Sequence, residues 1–211
     1  MYLLTKLFDF LFPPDPLVVR LENMEPEALS EFELFAASER QTVYLFKYQE
    51  PLIRRAIWEI KYRGNEKIAR LFASALFETL AGALENLDPL GKTRPLLTVV
   101  PMSEKRARER GVNHLSLLTK SLPEEARNFF DIDAQVLKKI RETVPQTSLQ
   151  KKKDRLKNPA GSLEVARPEK VAGKTVFVID DVTTTGATLL EAKRALLQTG
   201  AKKVICFALA H

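Results

Sequence analysis

The chain has 211 residues, 45% hydrophobic and 28% charged, a balance typical of soluble globular proteins and enough length for one substantial domain plus an extension. No apolar run reaches the ~18–20 residues of a membrane span; the apolar start Met1–Phe12 is broken by Lys6 and Asp9 and lacks a small-residue cleavage site, which argues against a signal peptide and for a cytoplasmic protein. The net charge of +6 is uneven: residues 1–40 carry three basic and eight acidic side chains, a net −5 that leaves +11 on the rest, and such a body either suits a polyanionic ligand (a diphosphate or nucleic acid) or is a solvated basic surface.

Residues 1–14 have the pattern of one or two amphipathic turns ending at Pro13-Pro14. Residues 21–39 hold six Glu and no Lys or Arg, and Leu29, Phe32, Leu34 and Phe35 predict a short helix there. We read 1–44 as an extension that packs on the main domain or on a partner, and 45–211 as the main domain. Leu52, Ile53, Ala56, Ile57 and Ile60 form one apolar face and predict a helix over 50–63, with Gly64 as its left-handed closing residue. A second helix is predicted over 65–86, broken by Pro89 and Gly91, and a strand over Leu96–Val100, stopped by Pro101.

The loop behind that strand carries Lys105, Arg106, Arg108 and Arg110 before Gly111. It follows the strand's carboxyl end, where open α/β sheets place their ligands. Arg106, Arg108 and Arg110 are therefore candidates for a bidentate grip on a pyrophosphate; the plainer reading is a solvated basic turn entering a helix near 112–122. His114, in that helix's first turn, reads as a surface or capping residue. Ala134–Ile140 predicts a strand. Residues 141–160 are polar and include Gln146, Thr147, Arg155, Asn158 and a Lys151–Lys153 run; such a segment inside a compact domain reads as a mobile lid or an exposed helix. The single Cys206 lies in the last predicted strand, Lys203–Leu209, and reads as a buried, inert thiol. The elements predict one α/β domain with a mostly parallel central sheet and helices on both faces.

Thr175-Val176-Phe177-Val178-Ile179 is β-branched and aromatic throughout, the composition of a strand buried on both faces in the sheet's interior. Asp180 and Asp181 follow, then Val182 and the run Thr183-Thr184-Thr185-Gly186-Ala187-Thr188, and then apolar residues at helical spacing. A helix N-terminus offers unpaired N–H groups and a partial positive charge to a phosphate. Gly186 lets the backbone come close, and the threonines add hydroxyl donors. Ionised carboxylates only accept, so Asp180 and Asp181 suit sugar hydroxyls or a hydrated Mg²⁺. An acidic pair beside a phosphate cradle points to a ribose 5-phosphate. The plainer alternative is a buried strand ending in a capped helix. A Walker A loop is excluded: Gly173-Lys174-Thr175 has Pro168 and Gly91-Lys92-Thr93 has Asn86 where its first Gly belongs.

The string from Val176 to Thr188 resembles the phosphoribosyl pyrophosphate (PRPP) motif of type I phosphoribosyltransferases. The resemblance implies that fold, ribose hydroxyls on Asp180 and Asp181 as catalytic residues, and the 5-phosphate on Thr183 through Thr188. Three further stretches resemble the ComF family, the competence-associated branch: Tyr48, Pro51, Lys61-Tyr62 and Gly64; Pro101, Arg106, Arg110-Gly111 and Asn113; and Arg141, Gln146, Leu149, Arg155 and Asn158. This implies a flexible loop holding Gln146, Arg155 and Asn158, and Mg²⁺ bound through PRPP. The family's N-terminal zinc ribbon needs four cysteines and residues 1–45 have none, so no zinc is expected. Three functions stay open: phosphoribosyl transfer to a nitrogen nucleophile; a non-catalytic protein binding PRPP and single-stranded DNA during DNA uptake; or an interaction module whose acidic N-terminus docks a helicase or pore component. A competence helicase or uptake component is a further implied partner.

Overall fold

The computed structural model describes residues 15–37, 42–91, 93–102, 113–140 and 161–211. Asp15 caps a short helix α1 (Pro16–Glu22), its carboxylate accepting from the N–H of Leu17 at 2.9 Å. A 3₁₀ turn (Pro26–Phe32) leads into strand β1 (Glu33–Ala37), which pairs antiparallel with β2 (Thr42–Phe46). The helix expected around Leu29–Phe35 is therefore a tight turn followed by a strand. The boundary drawn at residue 44 runs through β2, which pairs parallel with the last strand of the chain.

Helix α2 (Pro51–Trp58) passes directly into a single π-helical turn (Glu59–Arg63), which Gly64 closes at φ 60° in the left-handed region as its position predicts. Asn65 then caps the long helix α3 (Glu66–Leu87) by accepting from the N–H groups of Lys67 and Ile68. After β3 (Leu96–Val99) come α4 (His114–Lys120), α5 (Ala126–Phe129) and β4 (Asp131–Ile132). The strand expected over 134–140 is shorter, β5 (Leu137–Lys139), and it lies outside the central sheet. It pairs antiparallel with β6 (Leu163–Val165), while the two residues of β4 take the sheet's edge. A 3₁₀ turn (Pro168–Lys170), β7 (Thr175–Val182), α6 (Ala187–Gln198) and β8 (Lys203–Ala210) complete the described chain.

The sheet order is β1-β2-β8-β7-β3-β4, parallel from β2 to β4, with β7 between β8 and β3. Parallel strands flanked by crossovers must be covered on both faces, which is why Val176, Phe177, Val178 and Ile179 are all fully buried. Side chains alternate along β7, so odd and even residues serve different faces. On the odd side the rings of Phe130, Phe177 and Phe207 run from β4 towards β8, with centroids 5.5 and 5.2 Å apart. On the even side Cys206, in register with Val178, turns its Sγ to the Leu189 carbonyl of α6. Burial pushes that thiol up to about 12, an inert group. Among the described residues, no helix is long and apolar enough to cross a membrane.

Candidate functional site

The acidic pair sits within β7 itself, in its last three residues, one step earlier than a loop would begin. The strand's alternation therefore sends the two carboxylates to opposite faces of the sheet. Asp181 shares its side with Leu209, Ile57, Ile60, Leu115 and Leu118, which enclose it beneath α2 and α4. Its Oδ2 lies 2.8 Å from Lys61 Nζ and 2.5 Å from His114 Nε2. The imidazole approach is close but bent, and neither ring nitrogen has a well-aligned hydrogen-bond partner among the described residues. Asp180 is on the side of α6, and its Oδ1 accepts from the N–H of Asp181 at 2.9 Å.

Their electrostatics diverge accordingly. Burial and the adjoining Asp181 charge push the Asp180 carboxyl up to about 7. Burial works on Asp181 in the same direction, but the ammonium of Lys61 and the imidazole of His114 outweigh it and hold that carboxyl far below the usual carboxylate range. At neutral pH the pair is thus one fixed anion and one group near its midpoint, able to accept from one sugar hydroxyl and donate to another.

Lys61 and His114 are site residues to which the sequence assigned no role in the site: Lys61 stood only within a ComF-like stretch, and His114 read as a surface or capping residue. Lys61 lies four residues beyond Ile57 and eight beyond Ile53, on the apolar stripe of its helix; His114 lies four before Leu118, on the buried face of α4. A basic side chain on an apolar stripe was the available signal. His114 is not the surface residue expected of it: it is only 6% exposed. Asn113 supplies the cap instead, accepting from the N–H of Ser116 at 3.1 Å, and this fixes His114 as the first helical residue above the β7 end. The π turn that carries Lys61 is braced by Glu59, buried under α2 and paired with Arg55 at 2.8 Å; Asp15 reaches the same guanidinium at 3.3 Å.

Beyond the acids, Thr183 is pinned by its N–H to the Ala210 carbonyl, and its Oγ1 accepts from the N–H of Gly186 at 2.8 Å. Thr185 Oγ1 accepts from Ala187 at 3.4 Å. Gly186, at φ 69°, is the N-cap of α6 and has no side chain of its own to cap the helix end. A Cβ built there meets only Thr183 Oγ1, at 4.0 Å, and otherwise points into open space. Thr183, Gly186 and Ala187 are buried, whereas Thr184 is exposed and Thr185 and Thr188 are half-buried at the mouth of the turn. The structure thus brings Asp180, Asp181 and Thr183 through Thr188 to one end of one strand. Arg106, Arg108 and Arg110, and Gln146, Arg155 and Asn158, lie outside the described residues. Residue Gly161, which follows that second segment, donates with Leu163 to the carboxylate of Glu191 on α6. Burial opposes ionisation of Glu191, but Arg194 and these two N–H groups keep it below the usual range. Among the described residues, no three His, Cys, Asp or Glu side chains gather into a metal-binding group.

Comparison with known proteins agrees with this geometry. The phosphoribosyl transferase domain family matches residues 121–211. The chain is 28% identical over 161 residues to the competence protein ComFC of Bacillus subtilis, covering 76% of this chain and 60% of that protein. It is 29% identical over 157 residues to the DNA utilization protein YhgH of Salmonella typhi, covering 73% and 65%. The chain therefore spans less than two thirds of these curated relatives. The solved structure of the allosteric regulatory enzyme of purine biosynthesis overlays with a TM-score of only 0.34 at 22% identity, over 58% of this chain and 23% of that one. The carboxyl-terminal 91 residues thus match a phosphoribosyl transferase domain, about three quarters of the chain is similar to ComFC and YhgH, and the acidic pair lies at the carboxyl end of a strand in a mostly parallel sheet, as a phosphoribosyltransferase-like protein similar to the ComF proteins would have it.

Proposed function

We propose that the protein binds Mg·PRPP across the carboxyl end of β7 and transfers its phosphoribosyl group to a nitrogen nucleophile in the cytoplasm. The observation that carries this reading is the split acid pair beside the glycine-capped start of α6. The 5-phosphate lies on the N–H groups and hydroxyls of Thr183–Thr188, and the ribose hydroxyls meet Asp180 and Asp181. Mg²⁺ would be held through the substrate, beside Asp180 and Asp181, and would supply charge neutralisation for the diphosphate. As the anomeric C–O bond breaks, positive charge grows on the ribose and negative charge on the departing diphosphate. The fixed anion of Asp181 stabilises the first of these. Lys61 and His114 act as positioning residues: they hold Asp181 ionised and aimed. Arg106, Arg108 and Arg110 receive the diphosphate, and the segment with Gln146, Arg155 and Asn158 closes over it.

A second reading, a non-catalytic protein that binds PRPP and single-stranded DNA, is favoured by the competence and DNA-utilization names of the relatives and by the +11 charge beyond residue 40. The two are separated by incubating the protein with Mg·PRPP and a panel of nucleobases while following diphosphate release, with calorimetry of PRPP binding in parallel. Release with at least one base supports transfer. Binding without release supports the second reading. No PRPP heat at all overturns both.

A further inference from the structure

The outer surface of α2 and its π turn has a character of its own. Trp58 is 40% exposed, Tyr62 52% and Tyr48 36%, although large aromatics are ordinarily buried in a core. The Trp58 and Tyr62 rings lie 5.5 Å apart, inclined at 41°. The Arg55 guanidinium stands 4.8 Å from the Trp58 ring centre and that of Arg63 5.7 Å. Tyr48, Arg55, Trp58 and Tyr62 border an open groove of about 430 Å³, lined also by Arg54 and Lys61 and by no carboxylate among the described residues; Arg63 flanks it beside the Trp58 ring. Arg55 is neutralised by Glu59 and Asp15 and serves as a brace. Arg54 and Arg63 have no acidic partner among the described residues, and so remain available to an anion.

We propose that this groove seats single-stranded nucleic acid, with successive bases stacked on Trp58 and Tyr62 and the flanking phosphates on Arg54 and Arg63. The proposal rests on the reading that nucleic acid is a partner of this protein; what it adds is the surface and the mode. Aromatic faces interleaved with cations, with few groups aimed at base edges, are the chemistry of sequence-tolerant strand binding. The groove's openness favours a strand over a free base, since small-molecule sites enclose most of their ligand. Lys61 lines the groove and also pairs with Asp181, so the strand lies next to the acid pair.

Trp58 is the single tryptophan of the chain, so intrinsic fluorescence reports on this groove alone. The full chain is titrated with a dT oligonucleotide of about twenty nucleotides, longer than the ~4–16-nucleotide footprints usual for such surfaces. Saturable quenching is expected, together with a steep loss of affinity as salt rises. By anisotropy of a labelled strand, Trp58→Ala and Tyr62→Ala should each weaken binding about 5- to 100-fold. Trp58→Phe should retain most of the affinity, and Phe129→Ala, an exposed aromatic elsewhere, all of it. PRPP affinity, measured by calorimetry, should be unchanged in all four variants. Oligonucleotide binding that neither quenches Trp58 nor responds to the variants overturns the groove while leaving the nucleic-acid reading standing. No oligonucleotide binding by protein that still binds PRPP overturns that reading and the groove together. Free dTMP quenching as tightly as the strand would make the groove a mononucleotide pocket and overturn the strand proposal.

Discussion

Two carboxylate pairs sit near opposite ends of the sheet, and their fates differ. Near the amino-terminal end, Asp131 pairs with Lys174 at 2.9 Å, and Asp133 with Lys170 at 2.7 Å and with Arg167. The hydrogen bond from Lys174 lowers Asp131. Burial of Asp133 works the other way, but Lys170, the Gln135 N–H and Arg167 outweigh it. Each acid there has its own cation, and both are depressed. At the carboxyl end Asp181 pairs directly with Lys61 and His114, while Asp180 accepts from a backbone N–H and feels Lys61 and Lys139 too weakly to offset its burial and the charge of its neighbour. Incomplete compensation splits the second pair. Salt bridges that compensate fully tie the fold together; the undercompensated pair is left with a proton and an anion to use.

The comparison is sharpened most by separate substitutions in the reactive pair. Asp181→Asn leaves Lys61 and His114 facing a neutral amide in a largely buried setting, and is expected to cost about 3 kcal/mol of stability and to abolish PRPP turnover. Asp180→Asn should leave stability at pH 8 unchanged or raised, because it removes a carboxyl that resists ionisation. Equal destabilisation of the two variants in denaturant melts would end the distinction drawn here.

Gly186→Val comes next. The left-handed backbone at φ 69° makes any branched residue costly by about 1–2 kcal/mol, and the new methyls occupy the space open above the turn. PRPP affinity should fall at least tenfold in calorimetry, with the circular dichroism spectrum retained. Parent-like affinity would remove the phosphate from this turn.

A smaller effect is the pH dependence of stability. A carboxyl raised in the fold favours its protonated form there, so the contribution of Asp180 is full below its ordinary value of 3.8 and is lost as pH rises through about 7. Between pH 5 and pH 8 the parent should lose about 1–2 kcal/mol, allowing for solvent screening, and Asp180→Asn should lose much less. The depressed acids Asp131, Asp133 and Asp181 act with the opposite sign, contributing above 3.8 and losing that contribution only in stronger acid. Identical pH slopes for parent and variant would show that Asp180 is not the titrating group.

Smallest of all should be Asp131→Asn. Its partner Lys174 is half-exposed and rehydrates when released, so less than about 1 kcal/mol is expected, with no change in PRPP affinity. A larger loss would mean that the amino-terminal pair is more than a surface tie.

What the sequence determined by itself was local. The run Thr175–Ile179 could only be a strand buried on both sides, and the acids, threonines and Gly186 behind it carried their chemistry in their order. Residue type and short-range spacing are enough there, because the strand, its carboxyl end and the start of α6 are contiguous in the chain. The helices over 51–63 and 66–87 were legible for the same reason, with Gly64 and Asn65 marking the join. The strand Thr42–Phe46 was just as β-prone, but the acidic residues before it made the region read as an extension, and only pairing with β8 gives it a place. That two adjacent aspartates become different acids was decided entirely by tertiary structure. Alternation within β7 separates their faces, and packing of the π turn and α4 over one face places Lys61 and His114 in direct ion pairs with Asp181. These groups are distant in the chain, and an electrostatic partner is set by where the helices land, not by the residues alongside it in sequence.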